Sequence, residues 1–243
     1  MIQEKRKPTI RRRLRRTSPG NLPELRFSPT AWAKLLFLRE VGESEIGGFG
    51  ITADDNPAYV EDVKLPRQCC IAVSVVFDDM AVADFFDEQV DRGLRPDRFA
   101  RIWVHTHPGD CPLPSWLDEL TFERVFRRPD WAVMFILAGG ENSYARLRYN
   151  RGPGVEVVLP VCVDHRRSFP ATDFAKWQSE YAANVTLLPS TKARSNNFLE
   201  YKSLEEVDNP DMDWNTWRED PLSGCECPEP DTLREAGGLG SRR

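Results

Sequence analysis

The sequence predicts an α/β domain in which helices pack on one mixed sheet. Three observations carry this. Short apolar or alternating runs of strand character are interleaved with segments of helical period. The two kinds mix without a repeating βαβ period. At 243 residues with 40% hydrophobic side chains, the chain can bury a sizeable core.

The elements follow in order. Ordered structure is expected to begin near Phe27. SPTAWAKLLFLREVG supplies Ser28 as N-cap, Pro29 at the first helical position and Gly42 as the stop. SEIGGFGITA reads as a strand with two adjacent glycines, and AYVEDVKLP alternates like a half-buried strand. CCIAVSVVF, a denser apolar run, reads as one central strand. DDMAVADFFDEQVDRG is a second helix, capped by Asp78 or Asp79 and ended by Gly93. RFARIWVHTH is the next strand, followed by a Pro/Gly-rich loop from Pro108 to Pro114. SWLDELTFERVFRR is a third helix, stopped by Pro129. WAVMFILAG, SYARLRYN and VEVVLPVCV complete the strands. PATDFAKWQSEYAANV places Phe174, Trp177, Tyr181 and Val185 on one face of a last helix.

The net charge of -5 is unevenly spread. Residues 1–16 hold eight basic side chains and one acid, leaving -12 for the remainder. No aromatic interleaves the basic run, so a base-stacking surface is not supported and no specific nucleic-acid partner is expected. No apolar stretch follows the charges as in a secretory signal, and the longest apolar run, 131–138, is too short to span a bilayer. The sequence therefore predicts a cytoplasmic protein without membrane attachment. Six scattered cysteines form no disulfide framework and are read as reduced. Beyond about Leu188 the chain is polar, acidic and aperiodic, with Trp214 and Trp217 in DMDWNTW as its notable apolar groups.

The chemistry concentrates in HTHPGDCPLPSWLDE, residues 105–119. Two of the three histidines stand here, at i and i+2 of a strand end, where both imidazoles face one side. Pro108 ends the ladder, and Ser115 and Asp118 follow at i, i+3 on the first turn of a helix. Two imidazoles and a carboxylate form a usual three-ligand set for a catalytic zinc, leaving a fourth place for water. Taken separately, His-x-His on a strand is most often structural, and Ser-x-x-Asp is most simply a helix cap. The joint pattern arises by chance in about one chain of this length in ten thousand or fewer. Ser115 can cap the helix and serve the site at once. Two-metal hydrolases built on His-x-His need more imidazoles than His165 alone can add. The deaminase signature and His-Glu-x-x-His are both absent. A zinc hydrolase also needs a general base, for which Glu45 in SEIGGFG is the candidate.

With His105, His107 and Pro108, six residues, then Ser115 and Asp118, and with Glu45-Ile46-Gly47 upstream, the chain resembles the JAMM (JAB1/MPN/Mov34, MPN-plus) metalloprotease family. The likeness spans roughly 27–165, and the compact loops are similar to those of a stand-alone bacterial-type member. It implies a three-layer α-β-α fold with one mixed, curved sheet, of cytidine-deaminase-like type. It implies one zinc per chain on His105, His107 and Asp118, with Glu45 as general base and Ser115 as oxyanion donor. It implies an isopeptidase or peptidase acting after the C-terminal glycines of a ubiquitin-like or sulfur-carrier protein, with E1- or E2-like pathway partners. The family's chain-type specificity insertions have no room here. The rival readings are a non-catalytic MPN-type binding module and a zinc hydrolase of small amides or peptides. The expected organisation is a basic tail over 1–26, the metalloprotease domain over 27–165, an added helix over 166–187 and an acidic tail over 188–243.

Overall fold

The computed structural model describes residues 23–188. Its elements in chain order begin with strand β1 (Leu25–Phe27), helix α1 (Pro29–Glu40), and strands β2 (Gly47–Ala53) and β3 (Asn56–Lys64). Next come β4 (Gln68–Ile71), β5 (Ser74–Phe77), helices α2 (Asp79–Asp91) and α3 (Pro96–Phe99), and β6 (Ile102–Thr106). The chain then forms α4 (Trp116–Phe126), β7 (Trp131–Leu137), β8 (Ser143–Tyr149), β9 (Val155–Val158), β10 (Val161–Val163), α5 (Phe174–Asn184) and β11 (Val185–Leu187).

Eight strands form one mixed sheet in the order β10-β1-β3-β2-β6-β7-β8-β9. The sheet curls until its ends approach. Leu159 N donates to Ala145 O of β8, and Leu25 N of β1 donates to the adjacent Pro160 O, both at 2.9 Å. VEVVLPVCV is therefore two strands, not one: Leu159-Pro160 carries the chain from one end of the sheet to the other, so β9 and β10 lie at opposite edges. Pro160 lacks the N–H that would continue the β9 ladder.

The expectation of a single sheet also needs correction. CCIAVSVVF folds back at Ala72-Val73 into an antiparallel hairpin, β4–β5, and β11 adds to β4 in parallel to make a separate three-stranded sheet. Neither turn residue adopts positive φ, so no glycine or asparagine announced the turn. The added C-terminal helix thus ends in a strand that period reading did not reveal.

Local signals explain the helices. Ser28 Oγ accepts from Ala31 N at 3.0 Å at the start of α1, and Pro29 occupies the first turn. The helix stops at Glu40, ahead of Gly42. Asp78 caps α2, and Gly93 closes it at φ 80°. The sheet strands alternate between two apolar clusters. Val133, Phe135 and Leu137 of β7 join Leu35 and Leu38 of α1, whereas Met134 and Ile136 join Phe85 of α2 with Phe122 and Phe126 of α4. On α5, Trp177 is buried and Tyr181 packs on the core, while Phe174 stays largely exposed; Val185, expected on the same helical face, instead opens β11 and packs on the core from there. The buried Lys34 Nζ of α1 meets Glu180 Oε2 of α5 at 2.6 Å, and Glu180 Oε1 accepts from Leu65 N at 3.1 Å. Among the described residues no helix is long and apolar enough to cross a membrane. The basic run over 1–16, DMDWNTW and residues 189–243 lie outside the described residues.

Candidate metal centre

β6 delivers the two histidines. Its residues alternate between the clusters, so Trp103 and His105 face the same side, with ring centroids 4.4 Å apart. His107, one residue past the strand, brings its ring within 5.1 Å of the His105 ring, centroid to centroid. Its Nδ1 donates to Cys111 O at 2.9 Å. This hydrogen bond fixes the tautomer that leaves Nε2 with a free lone pair. Cys111 thus serves through its backbone, which no sequence pattern signals.

The loop bearing Cys111 is pinned at several points. Arg39 Nη2 donates to Pro108 O at 2.9 Å, Gly139 N to Gly109 O at 2.7 Å and Asn142 Nδ2 to Asp110 O at 3.1 Å. A Cβ on Gly139 would sit 2.0 Å from Asp110 Oδ1, so any larger residue there would displace the Asp110 side chain.

Asp118 enters from α4. Ser115 is the N-cap and Asp118 the third helical residue of a reciprocal capping box. Asp118 Oδ2 accepts from Ser115 N and Ser115 Oγ, both at 2.7 Å, and Asp118 N donates to Ser115 Oγ at 3.2 Å. The cap and the site are one device: the bonds that start the helix also aim the carboxylate at the histidines. The Ser115 proton is committed to Asp118, so donation to any other acceptor requires the hydroxyl to turn.

Asp118 Oδ1 lies 3.2 Å from His105 Nε2, and Oδ2 lies 3.5 Å from His107 Nε2. One ligand atom from each of the three residues falls within 4.8 Å of the other two. His105 Nδ1, His105 Nε2 and His107 Nε2 are buried without a hydrogen-bond partner. A neutral imidazole carries one ring lone pair and one N–H, so each histidine can offer the lone pair of Nε2, and a buried lone pair without a partner is costly. Lone pairs converging with a carboxylate fit a cation, and this group could hold a metal ion. His165, by contrast, stands apart with its ring near Phe169.

Glu45 completes the cluster from the segment before β2. The antiparallel register pairs Gly47 with His105, and two further positions set Glu45 across from His107. Glu45 Oε1 lies 3.8 Å from His107 Nε2. The two glycines are needed where they stand: a Cβ on Gly47 would meet Phe77 Cζ at 2.7 Å, and one on Gly48 would meet Lys64 O at 2.6 Å. Ser74 and Val75 of β5 and Leu117 and Thr121 of α4 line a small pocket together with Glu45, His105 and Asp118.

The electrostatics follow from this enclosure. Burial, reinforced by the Asp118 charge and opposed by His107, pushes the Glu45 carboxyl up to about 8. Burial alone would raise Asp118 too, but the two histidines and Ser115 outweigh it and hold that carboxyl well below its ordinary range. Burial lowers the His105 pKa against the pull of Asp118, favouring the neutral imidazole that binds metals. For His107 burial acts downward as well, but Asp118, Glu45 and the Cys111 carbonyl together raise it.

No protein-family model matches the chain, and no curated protein matches it significantly. The functional reading rests on the residues themselves.

Proposed function

We propose that this chain is a zinc-dependent isopeptidase or peptidase of JAMM type, with the three-layer α-β-α architecture of that family. Its substrate class is the C-terminal Gly-Gly tail of a ubiquitin-like or sulfur-carrier protein. The observation that carries the reading is the placement of Glu45. A purely structural metal site needs only ligands, yet a fourth group, the buried Glu45 carboxyl from a distant segment, stands 3.8 Å from a ligand nitrogen.

His105, His107 and Asp118 would hold the zinc. The bound zinc supplies Lewis acidity, which acidifies water and polarises the scissile carbonyl. Glu45 accepts the proton of the attacking water and returns it to the leaving amine. Ser115 holds Asp118 in place and, once its hydroxyl turns, donates to the oxyanion.

The test is a panel of linear fusions, each joining a ubiquitin-like protein through its terminal glycines to a reporter, incubated with and without chelator. Chelator-sensitive cleavage after the glycines supports the proposal. Cleavage of small amides but of no fusion would favour a small-substrate hydrolase, and zinc binding without any turnover a binding module.

A further inference from the structure

Gln68 is an unusual occupant of its position. It is 3% exposed, at the start of β4, and every polar atom of its side chain is engaged. Oε1 accepts from Gly47 N and Nε2 donates to Gly47 O, both at 2.8 Å. Nε2 also donates to Pro66 O at 3.0 Å, and Cys70 Sγ approaches Oε1 at 3.3 Å.

The backbone of β2 explains why an amide is needed. Ile46 turns its main chain toward β6: its carbonyl accepts from Thr106 N at 3.0 Å, and its N–H donates to Thr106 Oγ1 at 3.1 Å. Its neighbours Glu45 and Gly47 therefore turn theirs the other way. β3 pairs with β2 only as far as Lys64 opposite Phe49, so no strand reaches Gly47 on that side. The Gln68 amide substitutes for the absent strand, since it presents a donor and an acceptor side by side. One turn of the pleat away, Glu45 N donates to Ile71 O of β4 at 3.0 Å. β4 thus grips the Glu45 segment at two points, on either side of Ile46. β4 in turn is held by β11, with Val185 opposite Gln68 and Leu188 N donating to Cys70 O at 2.9 Å.

We infer that Gln68 is a positioning residue that holds Glu45 in register with His107 by standing in for a missing strand beside Gly47. The inference rests on the proposed reading of Glu45 as the base. Gln68 touches no ligand and no reacting atom, and it acts only through the backbone of residues 45–47. Loss of its amide should leave the metal ligands intact while letting the carboxylate drift. A positional error near 1 Å in a reacting group costs on the order of 100-fold in rate.

The experiment uses the full-length, zinc-loaded protein and a fusion cleaved in the panel above. Gln68→Met, close in shape but without the amide, should lower kcat by roughly 10–100-fold with KM and zinc content unchanged. In a Glu45→Gln background the same change should cost nothing further, because a residue acting through Glu45 has nothing left to act on. Equal losses in both backgrounds, or an unchanged kcat, would overturn the inference. Amide hydrogen exchange supplies a readout independent of turnover. The Gly47 amide should be protected in the wild-type protein, and Gln68→Met should accelerate exchange over residues 45–48 while Phe135 in β7 stays protected. Rapid Gly47 exchange in the wild type would sink the brace without recourse to any variant that fails to fold. If the wild type cleaves none of the fusions, the functional reading falls, and exchange alone decides whether the brace exists.

Discussion

Asp118 Oδ2 accepts two hydrogen bonds from Ser115, at 2.7 Å each, while its other oxygen lies 3.2 Å from His105 Nε2. A helix cap and a candidate metal ligand are therefore the same carboxylate. Ser115→Ala should lose on two counts. Removing the cap costs about 0.5–2 kcal/mol of stability, read as a lower melting temperature. Loosening the ligand should weaken zinc affinity by roughly 10–100-fold, read by competition with a chromogenic chelator. Unchanged affinity would show that the remaining backbone N–H suffices to aim Asp118.

His107→Ala should abolish stable zinc loading, because His105 and Asp118 alone cannot hold a catalytic ion at ordinary metal levels. Metal analysis of the purified variant checks this. Full occupancy would remove His107 from the ligand set.

Glu45→Gln retains shape but cannot accept a proton. Zinc content should stay at the wild-type level while turnover of a cleavable fusion falls about 10²–10⁴-fold. Wild-type turnover in this variant would defeat the proposed mechanism even with the zinc site correct.

The same variant tests the buried carboxyl in metal-free protein. Glu45 is raised from 4.5 to about 8, so between those values the unfolded chain is ionised at this position and the folded chain is not. Unfolding then releases a proton, and stability contributed by the neutral carboxyl, complete below pH 4.5, is lost as pH rises through about 8. The slope from this group is about 1.4 kcal/mol per pH unit. Denaturation of wild type and Glu45→Gln across that window should show the wild type losing ground steadily. Zinc should flatten the difference, since a cation beside Glu45 favours its charged form. Parallel curves without metal would show that Glu45 titrates normally.

The C-terminal helix and strand should be indispensable, whereas residues 1–22 and 189–243 should not. Removing both ends outside 23–188 should leave one cooperative thermal transition. Glu180→Leu should destabilise by about 3 kcal/mol, at the low end for a broken buried pair, because Asp62 remains 3.6 Å from the stranded Lys34 Nζ. A melting temperature unchanged by Glu180→Leu would show that α5 docks through Trp177 and its apolar neighbours alone.

The sequence by itself determined what depends on short spacing. A two-residue period puts His105 and His107 on one side of a strand, a three-residue step puts Asp118 beside its own cap at Ser115, and Ser28, Asp78 and Gly93 mark helix ends through local hydrogen bonds and backbone preference. These arrangements hold wherever the elements later pack. Glu45 was legible only through its likeness to a family motif, since nothing in SEIGGFG says which strand will lie across from it. The tertiary structure alone decided that β2 pairs with β6 in the register that brings Glu45 to His107. It also decided that CCIAVSVVF folds back into a hairpin, that VEVVLPVCV divides between two edges of a curled sheet, and that Gln68 fills the place of a strand beside Gly47. The strand pairings are made by backbone hydrogen bonds, and Gln68 reaches the backbone of Gly47 through its side-chain amide. Every residue except proline carries the same backbone donor and acceptor, so the partner is chosen by the packing of the whole sheet and leaves no mark in the local sequence.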